Sequence, residues 1–178
     1  MSTSCATNLT DEQWEIVESF LPSAKKRRRP RSVPLREIVN AIFYIVVAGC
    51  AWHLLPHDFP KWKTVYHYFR MWRLDGTWER MHGQLMEWER VAQGHEAAPS
   101  AASLDSQSVK SGNPWINDVG IDGGKLVKGH RRHLLVDTLG LVMMVVVTAA
   151  NVSDKQGARL IFERLASFPQ RIARLVLI

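Results

Sequence analysis

The sequence lacks the features that mark secreted and membrane proteins. Two cysteines, Cys5 and Cys50, occur in 178 residues, which excludes a disulfide-stapled scaffold and fits a reducing cytoplasm. The first twenty residues carry four acidic side chains and no apolar core, which argues against a signal peptide. The longest apolar run, 38–52, contains Asn40 and Gly49 and is too short to cross a bilayer comfortably. We therefore expect a buried helix there, a cytoplasmic location and no membrane partner.

Basic residues outnumber acidic ones, and the formal net charge of +6 favours polyanionic partners. The excess is concentrated in 25–31, where six of seven residues are basic. We expect a solvated arm that contacts DNA phosphates through Arg27, Arg28, Arg29 and Arg31. A linker that only improves solubility is the alternative. A polybasic membrane anchor is disfavoured because no lipid motif or apolar anchor accompanies the run.

Helical patterns fill the amino-terminal half. Thr10 and Gln13 have the spacing of a capping box, and 35–48 is apolar almost all round, so it should lie at the centre of this region. In 61–73, an apolar stripe at helical spacing comprises Trp62, Val65, Tyr66, Phe69 and Trp72. The basic residues on the other side are Lys61, Lys63, Arg70 and Arg73. This pattern predicts a helix-turn-helix recognition helix that docks on DNA; an ordinary amphipathic helix with a hydrated outer face is the alternative.

Cys50, His53 and His57 have a spacing that could hold a zinc ion. No fourth ligand is evident, and Pro56 interrupts the helix that they would share. We expect these three residues to serve in packing.

A linker-like stretch, 93–103, divides the chain. It separates a helical DNA-binding domain, 1–92, from an α/β domain, 104–178. Strands are predicted at 101–110, 133–137, 141–148 and 174–178, with a helix from Ser153 or Asp154 to Leu165. The inner face of that helix should comprise Ala158, Ile161, Phe162 and Leu165. The predicted fold is α + α/β, with a mixed sheet in the second domain.

Asp105 stands in the middle of the first of these strands. A lone carboxylate buried in a sheet costs several kcal/mol unless a cation meets it, so either the strand assignment is mistaken or Asp105 is a cation ligand. A basic cluster follows about 25 residues later in the sequence and includes Lys125, Lys128, Arg131 and Arg132. Together they suggest metal-dependent chemistry on a phosphate backbone, with these basic residues beside the phosphates.

Several segments resemble the DDE transposases of small bacterial insertion sequences, in the group called IS-five type. They are Leu9-Thr-Asp-Glu-Gln-Trp14 with Phe20-Leu-Pro22, Ala48-Gly-Cys-Ala-Trp-His-Leu-Leu-Pro56, Leu104-Asp-Ser-Gln-Ser-Val-Lys110, Gly124-Lys-Leu-Val-Lys-Gly-His-Arg-Arg-His-Leu-Leu-Val-Asp-Thr-Leu-Gly140 and Ala150-Asn-Val-Ser-Asp-Lys-Gln-Gly-Ala158. The matches keep their order and cover most of the chain.

The resemblance implies a helical domain that binds the element's ends, followed by an RNase H-like catalytic domain. It implies that Asp105 is the first acid of the Asp-Asp-Glu triad and binds Mg²⁺ or Mn²⁺. The implied activity is DNA cleavage and strand transfer, with terminal inverted repeats and target DNA as partners. A homo-oligomer in the working complex and a bacterial, nucleoid-associated location are also implied.

The sequence departs from that family after 174–178, where the resemblance implies the second Asp and, further on, the Glu. A two-metal site needs several carboxylates to hold ions roughly 3.5–4 Å apart. The nearby substitutes are Asp122, Asp137 and Asp154, and each has a plainer role: a loop residue, a hairpin turn and a helix cap. Because the chain stops within an apolar strand, we expect a fragment or truncated frame, or a partner covering the sheet, and no activity alone. The alternative is a non-catalytic DNA-binding fragment or an inhibitor of transposition.

Overall fold

The computed structural model describes residues 6–22, 33–111 and 119–166. The basic arm predicted at 25–31 and the strand predicted at 174–178 lie outside these residues. The chain forms two compact units, Met1–Gln84 and Leu85–Ile178. None of the helices in the described part of the chain is both long enough and apolar enough to span a bilayer.

The first unit is helical, as predicted. It contains α1 (Asp11–Phe20), α2 (Leu35–Ala48), α3 (Trp62–Leu74) and the first part of α4 (Thr77–Ala92). The predicted capping box of Thr10 and Gln13 is formed at the start of α1. α2 is the buried centre, with Ile38 and Ile42 almost fully removed from solvent.

The connection between α2 and α3 differs from a helix-turn-helix. Gly49 ends α2 in a left-handed conformation with φ of 63°, which glycine adopts without the steric cost of a Cβ atom. A 3₁₀ turn over Trp52–Leu54 follows, and Pro56 and Pro60 precede α3. The turn of a helix-turn-helix has about three or four residues, whereas this connection extends over 49–61. The described helices therefore do not confirm that motif.

The aromatic stripe of α3 is narrower than predicted. Val65 and Trp72 are buried, whereas Trp62 and Tyr66 are 37% and 39% exposed. Trp52, from the 3₁₀ turn, packs edge-on against Tyr66 with ring centroids 5.2 Å apart. Trp52 also packs against Phe69, with ring centroids 5.0 Å apart, so the 3₁₀ turn covers the border of the apolar face.

The second unit contains the rest of α4 and a four-stranded sheet. Its strands are β1 (Ala102–Lys110), β2 (Gly120–Asp122), β3 (Val127–Asp137) and β4 (Val142–Ala149). β3 pairs antiparallel with β1 along one edge, and with β2 and β4 at successive positions along the other. The described sheet is thus antiparallel throughout. β3 begins at Val127, six residues before the predicted strand, so most of the second basic cluster lies inside it.

One face of the sheet is covered by α5 (Asp154–Leu165), which begins with a capping box formed by Ser153 and Gln156. Buried residues of the helices and strands meet there: Met86, Ala102, Leu135, Met143 and Ile161. Phe162 is 39% exposed, so its predicted place on the inner face of α5 is wrong. The backbone of Gly157 takes that place, because a Cβ atom there would come within 2.1 Å of the His133 ring.

The boundary of the second unit falls within α4, ahead of the predicted linker. Arg90 of α4 donates to Asp137 at the end of β3, and its Nε donates to the carbonyl of Glu96 at 2.8 Å. Ala102 and Ser103, the last residues of the predicted linker, belong to β1. The carboxyl end of α4 is therefore fastened to the sheet.

Candidate functional site: the open face of the sheet

Asp105 lies on the exposed surface of β1. Its Cα is paired with that of Leu134, and its Oδ1 accepts a hydrogen bond from the backbone N–H of Ser106 at 2.7 Å. Among the described strands, β1 pairs with β3 alone, so Asp105 stands at an edge rather than inside the sheet. The strand prediction is confirmed, but the inference from a buried carboxylate is wrong because water reaches Asp105.

The basic residues of β3 are divided between the two faces of the sheet, and the pairing of β1 with β3 shows which of them share a face with Asp105. Successive side chains of a strand point to opposite faces, and Asp105 and Gln107 are paired with Leu134 and Arg132. We call the face that carries Asp105, Lys128, Arg132, Leu134, Val145 and Val147 the open face. Lys128, Arg132, Val145 and Val147 are exposed on it. A carboxylate, two cations and apolar valines thus share one surface.

Arg131 faces the opposite way and is engaged within the protein. Its guanidinium donates to Asp122, to Asp154 at 3.3 Å and to the carbonyl of Val152 at 2.9 Å, and its side chain is 13% exposed. These bonds join β2, β3 and the start of α5. Arg131 therefore has a structural role, in contrast to its predicted contact with phosphates.

Asp122 is the buried partner of this cluster. Hydrogen bonds from the Ser108 hydroxyl, the Arg131 guanidinium and the backbone N–H groups of Lys125 and Gly124 hold the pKa of its carboxyl well below the usual range. Each of these donors favours the charged carboxylate. The carboxyl is thus held ionised inside the fold.

His133 is fully buried beneath α5. Its Nε2 lies 3.0 Å from the hydroxyl of Thr148, while its Nδ1 has no hydrogen-bond partner in the described structure. Burial lowers the pKa of the imidazole, and the positive charge of Arg131 adds to this while the carboxylate of Asp154 opposes it. The ring is consequently held in its neutral form.

A cavity of about 860 Å³ separates the edge of β1 from α5. Its wall includes Asp105 and Asp154 together with charged and apolar residues of α5, namely Lys155, Arg159, Glu163, Ala158 and Phe162. Asp154 is paired with Arg131, and Arg159 with Glu163. The cavity therefore reaches from the edge of β1 to a surface of mixed charge on α5, while the side chain of Asp105 belongs to the open face.

The described residues do not form a two-metal site. Asp122, Asp137 and Asp154 are bound to Arg131, Arg90 and Arg131, respectively. No cluster of three or more His, Cys, Asp or Glu side chains suited to a metal ion occurs in 6–22, 33–111 and 119–166. A single exposed carboxylate at Asp105 does not fit the ligand set that two Mg²⁺ ions require.

A second basic surface lies on α3 in the first unit. Lys61, Lys63, Arg70 and Arg73 are all exposed, and the Nζ of Lys63 lies 5.7 Å from the centre of the Trp62 ring. Lys63, Arg70 and Arg73 are thus on the surface of α3, and Lys61 is the residue that caps its start. The predicted contacts at Arg27, Arg28, Arg29 and Arg31 fall outside the described residues.

The sequence interpretation missed the β2–β3 hairpin, because Asp122 was assigned to a loop. Asp122 is followed by Gly123, Gly124 and Lys125, and Asp-Gly is a typical hairpin-turn signal. The alternation of Val127 with Lys128 after it also fits a strand. Those two signals could have located the hairpin and the early start of β3.

Comparisons with known proteins give matches to both regions of the chain. Residues 9–82 match a family described as a transposase of the IS4/5 family (DUF4096), and residues 96–176 match the transposase DDE domain. A 16.2 kDa protein of insertion element IS402 from Burkholderia cepacia is 29% identical over 109 residues, which cover 58% of this chain and 73% of that protein.

Protein y4sN of Sinorhizobium fredii (strain NBRC 101917 / NGR234) is 24% identical over 102 residues, which cover 52% of this chain and 82% of that protein. No solved structure gives a significant match. The two family matches take in the helical unit and the sheet, and the chain belongs to the DDE transposases of IS4/5-type insertion sequences.

Proposed function

We propose that this chain binds the ends of a bacterial insertion sequence and carries part of a transposase active site. The main support is the open face, where Asp105, Lys128 and Arg132 lie on one side of a sheet that matches the transposase DDE domain. A sheet with this strand order and a helix on one face is compatible with an RNase H-like domain. Asp105 is the first acid of the triad in this proposal.

DNA recognition is assigned to two surfaces. The exposed basic residues of α3 contact the terminal repeats, and the basic arm at 25–31 adds contacts to the phosphates. Lys125, Lys128 and Arg132 hold the phosphates that pass Asp105. Cations spread over such surfaces bind DNA by releasing counterions, so the binding should weaken steeply as salt increases.

Catalysis requires a complete triad with Mg²⁺ or Mn²⁺, which would position and activate the attacking oxygen. The described residues do not fit that metal pair, so we assign no strand transfer to these 178 residues by themselves. In a complete assembly the chain works in the bacterial cytoplasm at the nucleoid, as a homo-oligomer that pairs two element ends.

A second candidate function follows from the same geometry. Because α3 carries exposed basic residues while the described residues do not form a two-metal site, the chain would occupy element ends without cutting them. It would then inhibit transposition by the complete enzyme. Reading the nucleotides after codon 178 distinguishes the two functions, since an overlapping frame that encodes a second Asp and a Glu supports the enzyme.

The experiment that tests DNA-end binding is a titration of labelled duplex, with the element's terminal repeat compared with a shuffled repeat at several salt concentrations. We expect preference for the repeat. Replacement of Lys61, Lys63, Arg70 and Arg73 by Ala should weaken binding and reduce the salt slope. Replacement of Lys155 and Arg159 on α5 by Ala is the control. Equal binding and slope in the α3 variant would refute this part of the proposal.

A further inference from the structure

Leu126, at the tip of the β2–β3 hairpin, has an exposure and a backbone conformation that the packing of the fold does not require. Leu126 is 83% exposed, and its φ of 53° makes it the one non-glycine residue with positive φ in 6–22, 33–111 and 119–166. Left-handed backbone is unfavourable for a residue with a Cβ atom, and a bulky side chain makes it uncommon. Strain of this kind is often found at functional sites.

The turn that holds Leu126 is fixed from within the fold. Oδ1 of Asp122 accepts hydrogen bonds from the backbone N–H groups of Gly124 and Lys125, at 3.0 and 3.2 Å. Oδ2 of the same carboxylate binds Arg131 and Ser108. The hairpin is therefore anchored to β1 and β3, while the side chain of Leu126 remains in solvent.

The surroundings of Leu126 are cationic. Lys125 and Lys128 are exposed on either side of it, and Lys110 is exposed at the end of β1. Ile121, paired with Lys128, is 59% exposed on the open face. Asp122 is the one acid between 119 and 129, and its charge is buried against Arg131. Exposed apolar and basic side chains thus occur together at this end of the sheet, an arrangement unsuited to an apolar protein surface and suited to a polyanion with apolar interior faces.

We propose that the β2–β3 hairpin is a DNA wedge, in which Leu126 enters the minor groove and presses between two base pairs while Lys125 and Lys128 contact the flanking phosphates. Apolar side chains of proteins that bend DNA act in this way, and the bend lets more of the protein surface meet the backbone. The inference rests on the DNA binding proposed above. The hairpin lies next to the open face, so a bend at the tip would direct the duplex across Lys128 and Arg132.

The test uses the whole chain and a mixed-sequence duplex with fluorophores at its two ends, so that energy transfer reports bending and anisotropy reports affinity. Wild type should increase energy transfer on binding. Leu126→Asn should bind at least about tenfold more weakly, since burial of one leucine side chain is lost, and should not bend the duplex. Because Asn tolerates left-handed backbone, its thermal midpoint should equal or exceed that of wild type. Leu126→Gly is a second variant, and it should likewise bind more weakly, fail to bend the duplex and keep its thermal midpoint.

Two further variants separate the apolar contact from the charges. Lys125→Ala with Lys128→Ala should reduce the slope of log affinity against log salt by about 2, whereas Leu126→Asn should leave that slope unchanged. Leu160→Gln, at an exposed position of α5, is the control for loss of an exposed leucine and should alter neither affinity nor bending.

The outcomes distinguish failure of the wedge from failure of the proposed function. Wild type that binds the duplex, together with Leu126 variants of equal affinity and equal bending, would overturn the wedge and leave DNA binding intact. Wild type without affinity for duplex would overturn both. If Leu126→Asn reduces self-association in sedimentation and leaves DNA binding unchanged, the tip is a protein contact and the wedge is wrong.

Discussion

Arg90 and Asp137 form an ion pair at the centre of the second unit, and both residues are 3% exposed. The second oxygen of the Asp137 carboxylate accepts hydrogen bonds from the backbone N–H groups of Leu139 and Leu141, at 2.9 and 2.8 Å. A single carboxylate thus shapes the β3–β4 turn and fastens the end of α4. The turn was predicted from sequence, but the partner of Asp137 was not.

Removal of Arg90 should destabilise the protein strongly. Arg90→Ala leaves the Asp137 charge buried without a cation, and breaking a buried pair in this way costs roughly 3–5 kcal/mol. The measurement is the free energy of unfolding in urea. Arg159→Ala, which breaks the exposed pair with Glu163, is the control and should cost at most about 1 kcal/mol. If Arg90→Ala loses no more unfolding free energy than Arg159→Ala does, the buried ion pair does not stabilise the fold as predicted.

Asp122 should make the fold sensitive to acid. Its pKa in the folded chain lies below the ordinary value of 3.8, so the folded state binds this proton less readily than the unfolded state does. The stabilisation is therefore complete above the unfolded pKa and is lost as the pH falls through and below it. We expect the unfolding free energy of wild type to decrease as the pH falls below the pKa of Asp122 in the unfolded chain.

The comparison variant for Asp122 is Asp122→Asn, which keeps the Oδ1 acceptor but loses the charge. It should be less stable near neutral pH and should lose less stability than wild type on acidification. The measurement is a series of urea titrations at decreasing pH. If the unfolding free energy falls equally with pH in the two proteins, the acid sensitivity does not come from Asp122.

His133 should produce a second pH dependence, at higher pH. Burial lowers the pKa of its ring below the ordinary value of 6.5, so protonation is easier in the unfolded chain. Stability should be complete above that unfolded pKa and decrease as the pH falls below it. Arg131 on the same face adds to the effect, and Asp154 at the start of α5 reduces it.

The His133→Gln variant removes this titration and retains a group that can bond to Thr148. Its unfolding free energy should be nearly flat over the range in which wild type loses stability. His67→Gln, at an exposed position of α3, is the control and should leave the wild-type dependence in place. A pH dependence that persists unchanged in His133→Gln would assign the effect to another group.

Asp105→Asn should separate catalysis from binding. The Asn side chain can still accept the hydrogen bond from the N–H of Ser106, and the position is exposed, so the thermal midpoint and DNA affinity should change little. In a longer transposase that carries this chain together with a second Asp and a Glu of a DDE triad, nicking of supercoiled plasmid should be lost with Asp105→Asn. Nicking that survives would exclude Asp105 from the active site.

Local patterns predicted most of the elements in the described chain. The capping boxes at Thr10 and Ser153, the apolar α2 and the strands around Asp105 and β4 are encoded by neighbouring residues, so spacing alone locates them. The start of β3 was misplaced because His130, Arg131 and Arg132 are polar in succession and interrupt the alternation that Val127 and Lys128 begin. The partners of His130 and Arg132 on β1 are Val109 and Gln107, which lie far away in the sequence.

The faces of the sheet could not be predicted in the same way. Arg131 and Arg132 are adjacent and chemically alike, yet one is bonded to Asp122 and the other is exposed on the open face. The alternation of a strand places the two on opposite faces, but which of them meets Asp122 and α5 depends on contacts distant in sequence. The exposure of Asp105 has the same origin, because it depends on which strands lie beside β1.

The two carboxylate oxygens of Asp122 bind different groups, and this restricts which changes in the length of the hairpin the fold tolerates. Oδ1 sets the path of the chain from Gly124 to Lys125, while Oδ2 holds the cation that ties three segments together. An inserted residue between Asp122 and Lys125 would pull the backbone N–H groups of the turn away from the carboxylate. It would also loosen the ion pair between Asp122 and Arg131. A change in the length of this turn therefore requires rebuilding the contacts of Asp122, whereas a change of the side chain at 126 leaves those contacts in place and affects only the proposed wedge.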